Sequence, residues 1–172
     1  MAVIARSAEA GEIWQRANKA LSAEDYAKAV AELSEVLKLL PNDDDSFTEG
    51  VYTCTKGDIY QERGSYYGSL EQPEKALADF DKAISLEPKK GGHYYSRSLF
   101  YIKNGEMEKA KADIEKAAEL DPEGAGTCYN TFANYIRNLT GDKRTAAVYY
   151  KKSVEHGDFM GMSKSQLDKW GM

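Results

Sequence analysis

Lys75-Ala76-Leu77-Ala78-Asp79-Phe80-Asp81-Lys82-Ala83-Ile84-Ser85-Leu86-Glu87-Pro88 returns almost position for position as Lys109-Ala110-Lys111-Ala112-Asp113-Ile114-Glu115-Lys116-Ala117-Ala118-Glu119-Leu120-Asp121-Pro122. The closing prolines, Pro88 and Pro122, stand 34 residues apart. Self-similarity at a fixed period of this size marks a supersecondary unit that buries its apolar face by stacking on copies of itself. Small residues such as Ala76, Ala83, Ala110 and Ala117 let helix backbones approach, while Phe80 and Ile114 fill the space between them.

Numbering each unit from 1 to 34 extends the match. The unit from Gly57 places Tyr60 at 4, Gly64 at 8, Tyr67 at 11, Ala76 at 20, Phe80 at 24, Ala83 at 27 and Pro88 at 32. The unit from Gly91 places Tyr94, Ser98, Tyr101, Ala110, Ile114, Ala117 and Pro122 there. At all seven positions the chain resembles the tetratricopeptide-repeat (TPR) family, with Ser98 a small stand-in for glycine. The resemblance implies an all-α fold, a right-handed superhelical solenoid of antiparallel helix pairs.

The resemblance spreads outward as a single domain of about four repeats, near residues 10–43, 57–90, 91–124 and 126–159. Repeat one carries Ile13, Ala17, Tyr26, Ala29, Leu33 and Val36 in register. Repeat four carries Tyr129, Phe132, Ala133, Ile136, Ala146, Tyr150 and Ser153, with one extra residue in the turn around Thr140-Gly141-Asp142. Asn104-Gly105 reads as a helix stop, and Pro73-Glu74 suits a first helical turn. Residues 44–56 exceed the period, and Ser46-Phe47-Thr48-Glu49 resembles a capping box. The expectation is a longer first helix for repeat two, with a loop as the alternative. Leu167 and Trp170, at i and i+3, predict a capping helix over 163–170.

Charge and composition exclude several classes. Hydrophobic residues are 42% and charged residues 30%, as in folded chains, and the net charge is −5. A nucleic-acid partner is not expected of so acidic a chain. No apolar run approaches the length that crosses a bilayer, and Ala2–Ala5 is too short for a signal-peptide core, so membrane insertion is not expected and cytoplasm is the expected location. Cys54 and Cys128 lack CxxC spacing and read as reduced thiols. His93 and His156 have no ligand spacing, and Asp43-Asp44-Asp45 lacks the glycine and distal glutamate of a calcium loop. No metal or cofactor is expected. Without a Walker loop, dinucleotide fingerprint or nucleophile elbow, neither is catalysis.

Arginine recurs at position 7 (Arg16, Arg63, Arg97) and an acid at position 23 (Glu32, Asp79, Asp113). Recurrence at the structural period predicts ion pairs between packed helices rather than chemistry. Repeat four has Phe132 and Tyr149 instead.

In TPR proteins the first helix of each repeat lines the concave surface. Carried over residue by residue, that surface comprises Trp14, Asn18 and Leu21; Gln61, Ser65 and Ser69; Tyr95, Leu99 and Lys103; and Thr127, Asn130, Asn134, Arg137 and Asn138. The stripe of amides suits an extended peptide backbone, and Trp14 and Tyr95 suit apolar anchoring. The resemblance implies an adaptor or scaffold that binds a peptide or protein segment. The family's carboxylate clamp for acidic chaperone tails matches only at Asn18, so that partner is disfavoured. The alternative is a homo-oligomeric module assembling through terminal residues Met160, Met162, Leu167 and Trp170.

Overall fold

A computed structural model describes residues 2–157 and 161–171. They group into two units, Met1–Pro88 and Lys89–Met172. In the first, α1 (Ala2–Ser22) and α2 (Tyr26–Leu39) form one pair, a hairpin of β1 (Ser46–Glu49) and β2 (Tyr52–Thr55) follows, and α3 (Lys56–Ser69) and α4 (Pro73–Leu86) form the next pair. In the second, α5 (Gly91–Lys103) pairs with α6 (Met107–Leu120), α7 (Ala125–Thr140) pairs with α8 (Lys143–Glu155), and α9 (Met162–Trp170) packs on α8.

Small residues at the crossings let the pairs close. Ala17, Ala29, Ala76, Ala83, Ala110, Ala117, Ala133 and Ala146 are all at most 1% exposed, and the side chains of Leu33, Phe80, Ile114 and Ile136 fill the interior beside them. Gly64 is required by proximity, since a Cβ there would stand 3.1 Å from the Ala76 carbonyl oxygen and 3.2 Å from Asp79 Cβ. Ser98, its counterpart, is fully buried and satisfies its hydroxyl by donating to the Tyr95 carbonyl at 2.6 Å.

The helix punctuation follows the expected chemistry. Pro73 sits in the first turn of α4, Asn104 caps α5 and Gly105 follows with φ +77°. Gly141 ends α7 in the left-handed region, and the Asp142 side chain accepts from Thr145 N to begin α8. The capping helix falls where Leu167 and Trp170 place it. Repeat one, expected from residue 10, has a first helix that begins at Ala2.

The helical extension expected over 44–56 is not formed. Ser46 to Glu49 pairs antiparallel with Tyr52 to Thr55. The two-residue turn has Gly50 at φ +60° and Val51 at negative φ, the pattern of a type II′ hairpin. The β-branched and aromatic run Phe47, Thr48, Val51, Tyr52, Thr53 favours strand. Alternation settles the register: Phe47 is buried in the core of α1 and α2, while Ser46 and Thr48 face solvent. The capping box lies one strand later, where Thr55 Oγ1 accepts from Asp58 N and Asp58 Oδ2 accepts from Thr55 N, each at 3.1 Å. Lys56, buried at the start of α3, donates to the carbonyls of Pro41 and Asn42 at 3.3 Å and meets Asp43 at 3.4 Å. The acidic connector is thus tied to the helix it precedes.

The recurring arginines form the expected pairs. Arg16 meets Glu32 at 3.0 Å, and Arg63 and Arg97 each meet their aspartate at 2.7 Å. In repeat four Phe132 and Tyr149 make an edge-to-face contact instead, with centroids 4.7 Å apart and planes at 72°.

Candidate functional site

Three elements of the first unit build a cavity of about 320 Å³. From α1 comes Trp14, whose ring meets Phe47 edge-on at 6.1 Å. Strand β2 contributes Tyr52, Thr53 and Cys54, and α3 contributes Asp58, Gln61 and Glu62. The hairpin is held against α1 by Phe47 in the core and by a hydrogen bond from Gln15 to Glu49.

The polar geometry of the cavity is specific. Trp14 Nε1 donates to Glu62 Oε2 at 2.9 Å, across 48 residues of sequence. Burial pushes the Glu62 carboxyl above its usual range and the Asp58 charge pushes the same way, while the indole bond opposes both. Burial also lifts the neighbouring Tyr66 phenol to about 12, with Glu62 adding to the shift. Gln61 lies one residue before Glu62 on the same wall.

The sequence-predicted residues divide sharply by environment. Trp14 and Gln61 meet in this cavity. Asn18 is half-buried on α1, where its carbonyl accepts from Ser22 Oγ at 3.0 Å. Ser65 is exposed and donates to the Gln61 carbonyl at 3.1 Å. In the second unit Tyr95 bonds to Thr131, and burial raises its phenol. Lys103 is exposed at the end of α5.

Asn130, Asn134 and Arg137 are brought together, but α9 holds them. Asn130 is buried and donates to Ser163 Oγ at 2.6 Å. Ser163 donates to Ser153 Oγ at 2.9 Å, which donates to the Gly126 carbonyl at 2.7 Å. Asn134 donates to Asn130 Oδ1 at 2.9 Å and accepts from the Tyr150 hydroxyl at 2.8 Å. Arg137 Nη1 donates to Gln166 Oε1 at 2.9 Å. Of the stripe expected to hold a peptide backbone, Asn130 and Arg137 therefore bond α9. Asn130 and Asn134 also line a cavity of about 340 Å³, together with Tyr150, Met162 and Gln166. Of the residues proposed for assembly, Met162 is exposed, Leu167 is buried and Trp170 meets Tyr150 edge-on at 5.6 Å; Met160 lies outside the described residues.

A model of the tetratricopeptide repeat matches residues 57–90 and 94–123, the two repeats of highest internal fidelity. Both segments are tetratricopeptide repeats. The chain is similar to Small glutamine-rich tetratricopeptide repeat-containing protein 2 of Saccharomyces cerevisiae, at 30% identity over 81 residues. That alignment covers 47% of this chain and 20% of the yeast protein, so the chain spans about a fifth of the length of that curated relative. Among solved structures it resembles a crystal structure of MamA, with TM-score 0.61 at 20% identity over 85% of this chain and 77% of the other. It also resembles MamA 41-end from Desulfovibrio magneticus RS-1, with TM-score 0.60 at 24% identity over 84% and 73% of the two chains. At these identities the likeness establishes the TPR fold. That fold supports a protein–protein interaction module. No helix among the described residues is long and apolar enough to cross a membrane.

The sequence alone does not bring Tyr52, Asp58 and Glu62 to this cavity: Tyr52 stands on the hairpin expected to be helix, and Asp58 and Glu62 reach it and Trp14 only through packing. The alternation in Ser46-Phe47-Thr48 and the turn glycine Gly50 were the signals that pointed to the hairpin.

Proposed function

We propose that this TPR-fold protein is a non-catalytic adaptor that holds an extended protein segment against the first helices of its repeats. The seat is the cavity between Trp14, β2 and α3. The observation that carries the reading is that Trp14 and Gln61, both at ligand-facing positions of the TPR pattern, line an accessible cavity of about 320 Å³. In the last repeat, Asn130 and Arg137 bond α9. Glu62 and Asp58 make the seat acidic, which supports the exclusion of acidic chaperone tails.

A peptide-display selection against the immobilised chain and its Tyr52→Ala/Gln61→Ala variant tests this. Both side chains lie at the surface of the seat, so circular dichroism is expected to show an unchanged fold. Sequences enriched by wild type and lost by the variant support the reading. Equal enrichment by both moves recognition elsewhere, and no enrichment by either removes peptide binding.

A second reading, assembly of copies through the last helices, is favoured by Tyr135, Leu139, Val148, Val154 and Met162, which are 40–54% exposed. Light scattering at increasing concentration separates the two readings. A strict monomer eliminates assembly.

A further inference from the structure

We infer that the cavity between Trp14 and β2 is a cation seat, which takes the arginine or lysine side chain of an extended protein segment. This rests on the preceding reading of the cavity as a peptide site and adds the chemistry of what it accepts.

The two charged residues in its lining, Asp58 and Glu62, are both acidic. Among the described residues Glu62 has no basic partner; its one hydrogen bond comes from the Trp14 indole. Asp58 is fixed by the capping box at the start of α3, so its carboxylate cannot swing away without undoing the cap. A half-buried carboxylate that meets only a neutral donor is held at a cost, and a cation entering the cavity relieves that cost.

The remaining walls suit the same guest. Trp14 and Tyr52 line the same cavity, and aromatic faces attract guanidinium and ammonium groups more strongly once water is displaced. The protein's own arginines show the pairing at work. Arg63 lies between Tyr60 and Tyr67 at 5.4 and 5.7 Å while bonding Asp79, so an aromatic-and-carboxylate cradle is the environment this fold already gives an arginine.

Two features favour a protein segment over a free cation. Tyr52 and Thr53 are exposed, so the cavity opens along the strand. The sheet also holds two strands only among the described residues, leaving one edge of β2 without a strand partner. An extended segment can lie beside such an edge and drop alternate side chains inward.

The test uses nonapeptides differing only at the central residue (arginine, lysine, glutamine or glutamate), followed through the indole N–H resonances of the full chain. The chain has two tryptophans, so Trp170 serves as an internal reference for Trp14. The arginine and lysine peptides are expected to move the Trp14 resonance and leave Trp170 in place. The glutamine and glutamate peptides are expected to bind at least about tenfold more weakly. Glu62→Gln, whose amide oxygen still accepts from the indole, is expected to remove that preference, and Tyr52→Ser to weaken binding of the basic peptides.

If the glutamine peptide moves Trp14 as readily as the arginine peptide, the cation seat is overturned while the peptide site stands. If spermidine does so at about tenfold lower concentration, the occupant is a free polyamine and the protein segment is overturned. If no peptide moves Trp14 at about 10 mM, the seat is overturned, and the display selection decides separately whether peptides bind elsewhere.

Discussion

Arg97 grips Asp113 across the α5–α6 pair through two parallel hydrogen bonds of 2.7 and 2.8 Å, with its guanidinium over the rings of Tyr94 and Tyr101 at 5.9 and 5.7 Å. One repeat earlier, Arg63 and Asp79 reproduce the arrangement at 2.7 and 2.8 Å. The aspartates are buried and the arginine side chains 18% exposed, so these pairs lie well below the surface. A fork-shaped donor meeting a carboxylate bidentately fixes the angle at which the two helices cross.

Removing one partner strands the other. Asp113→Ala is expected to destabilise the protein by about 3 kcal/mol in urea unfolding, because Arg97 loses its counter-charge inside the pair. The double variant Arg97→Leu/Asp113→Leu should recover much of that loss, as the Phe132–Tyr149 contact of repeat four shows that an apolar pair fits the same place. Arg97→Lys should fall between, since lysine has no fork.

Alanine at the crossings is a matter of room. Ala110 is fully buried on α6, which packs against α5. Ala110→Leu is expected to cost about 1–3 kcal/mol through overpacking, read as a lower melting temperature. An unchanged value would reject the packing register.

The parts legible in the sequence were those whose cause is local or periodic. Pro73, Asn104-Gly105 and the recurring alanines act within a turn or at a fixed 34-residue interval. Ser46-Phe47-Thr48-Glu49 failed as a helix start because the same four residues also alternate as a strand, and only the burial of Phe47 beside α1 decides between them. At helical spacing the amides of Asn130 and Asn134 read as packing badly in a core, yet Asn130 is buried. Its partner, Ser163, stands 33 residues further on, a distance no local rule spans. The Glu62–Trp14 bond is illegible for a related reason, since the partners stand 48 residues apart and are brought together by the stacking of repeats.

The hairpin depends on its turn and its cap. Gly50 has φ +60°, which side chains with a Cβ rarely adopt. Gly50→Val is expected to speed amide hydrogen exchange across 46–55 while leaving α5 to α9 unchanged. Thr55→Ala removes the capping box of α3 and should cost about 1 kcal/mol, with faster exchange in the first turn of that helix. Uniform change along the chain would argue against a locally closed hairpin.

The polar network under α9 predicts a graded response. Asn130→Ala leaves the Ser163 hydroxyl without its donor and removes an acceptor from Asn134, so a loss of about 1–3 kcal/mol is expected. Gln166→Ala removes a half-buried partner of Arg137 and should cost less than that. Equal effects from both would mean that α9 is held by Leu167 and Trp170 rather than by its buried hydrogen bonds.

Glu62 gives the cavity a pH dependence of definite sign. Its carboxyl is raised by burial and by Asp58, against the Trp14 bond, and Tyr66 beside it stays neutral to about 12. A carboxyl raised in the folded state binds its proton before the unfolded chain does, so stability rises as pH falls through the window just above the ordinary carboxylate range. Wild type should therefore be less stable than Glu62→Gln near pH 7, and the difference should shrink as pH falls towards the ordinary carboxylate range. Melting temperatures of the two proteins across that range check this. A constant difference would mean that Glu62 is not desolvated by the indole and the hairpin. The same protonation removes the charge that a basic guest requires, so acidification should strengthen the fold while releasing the guest.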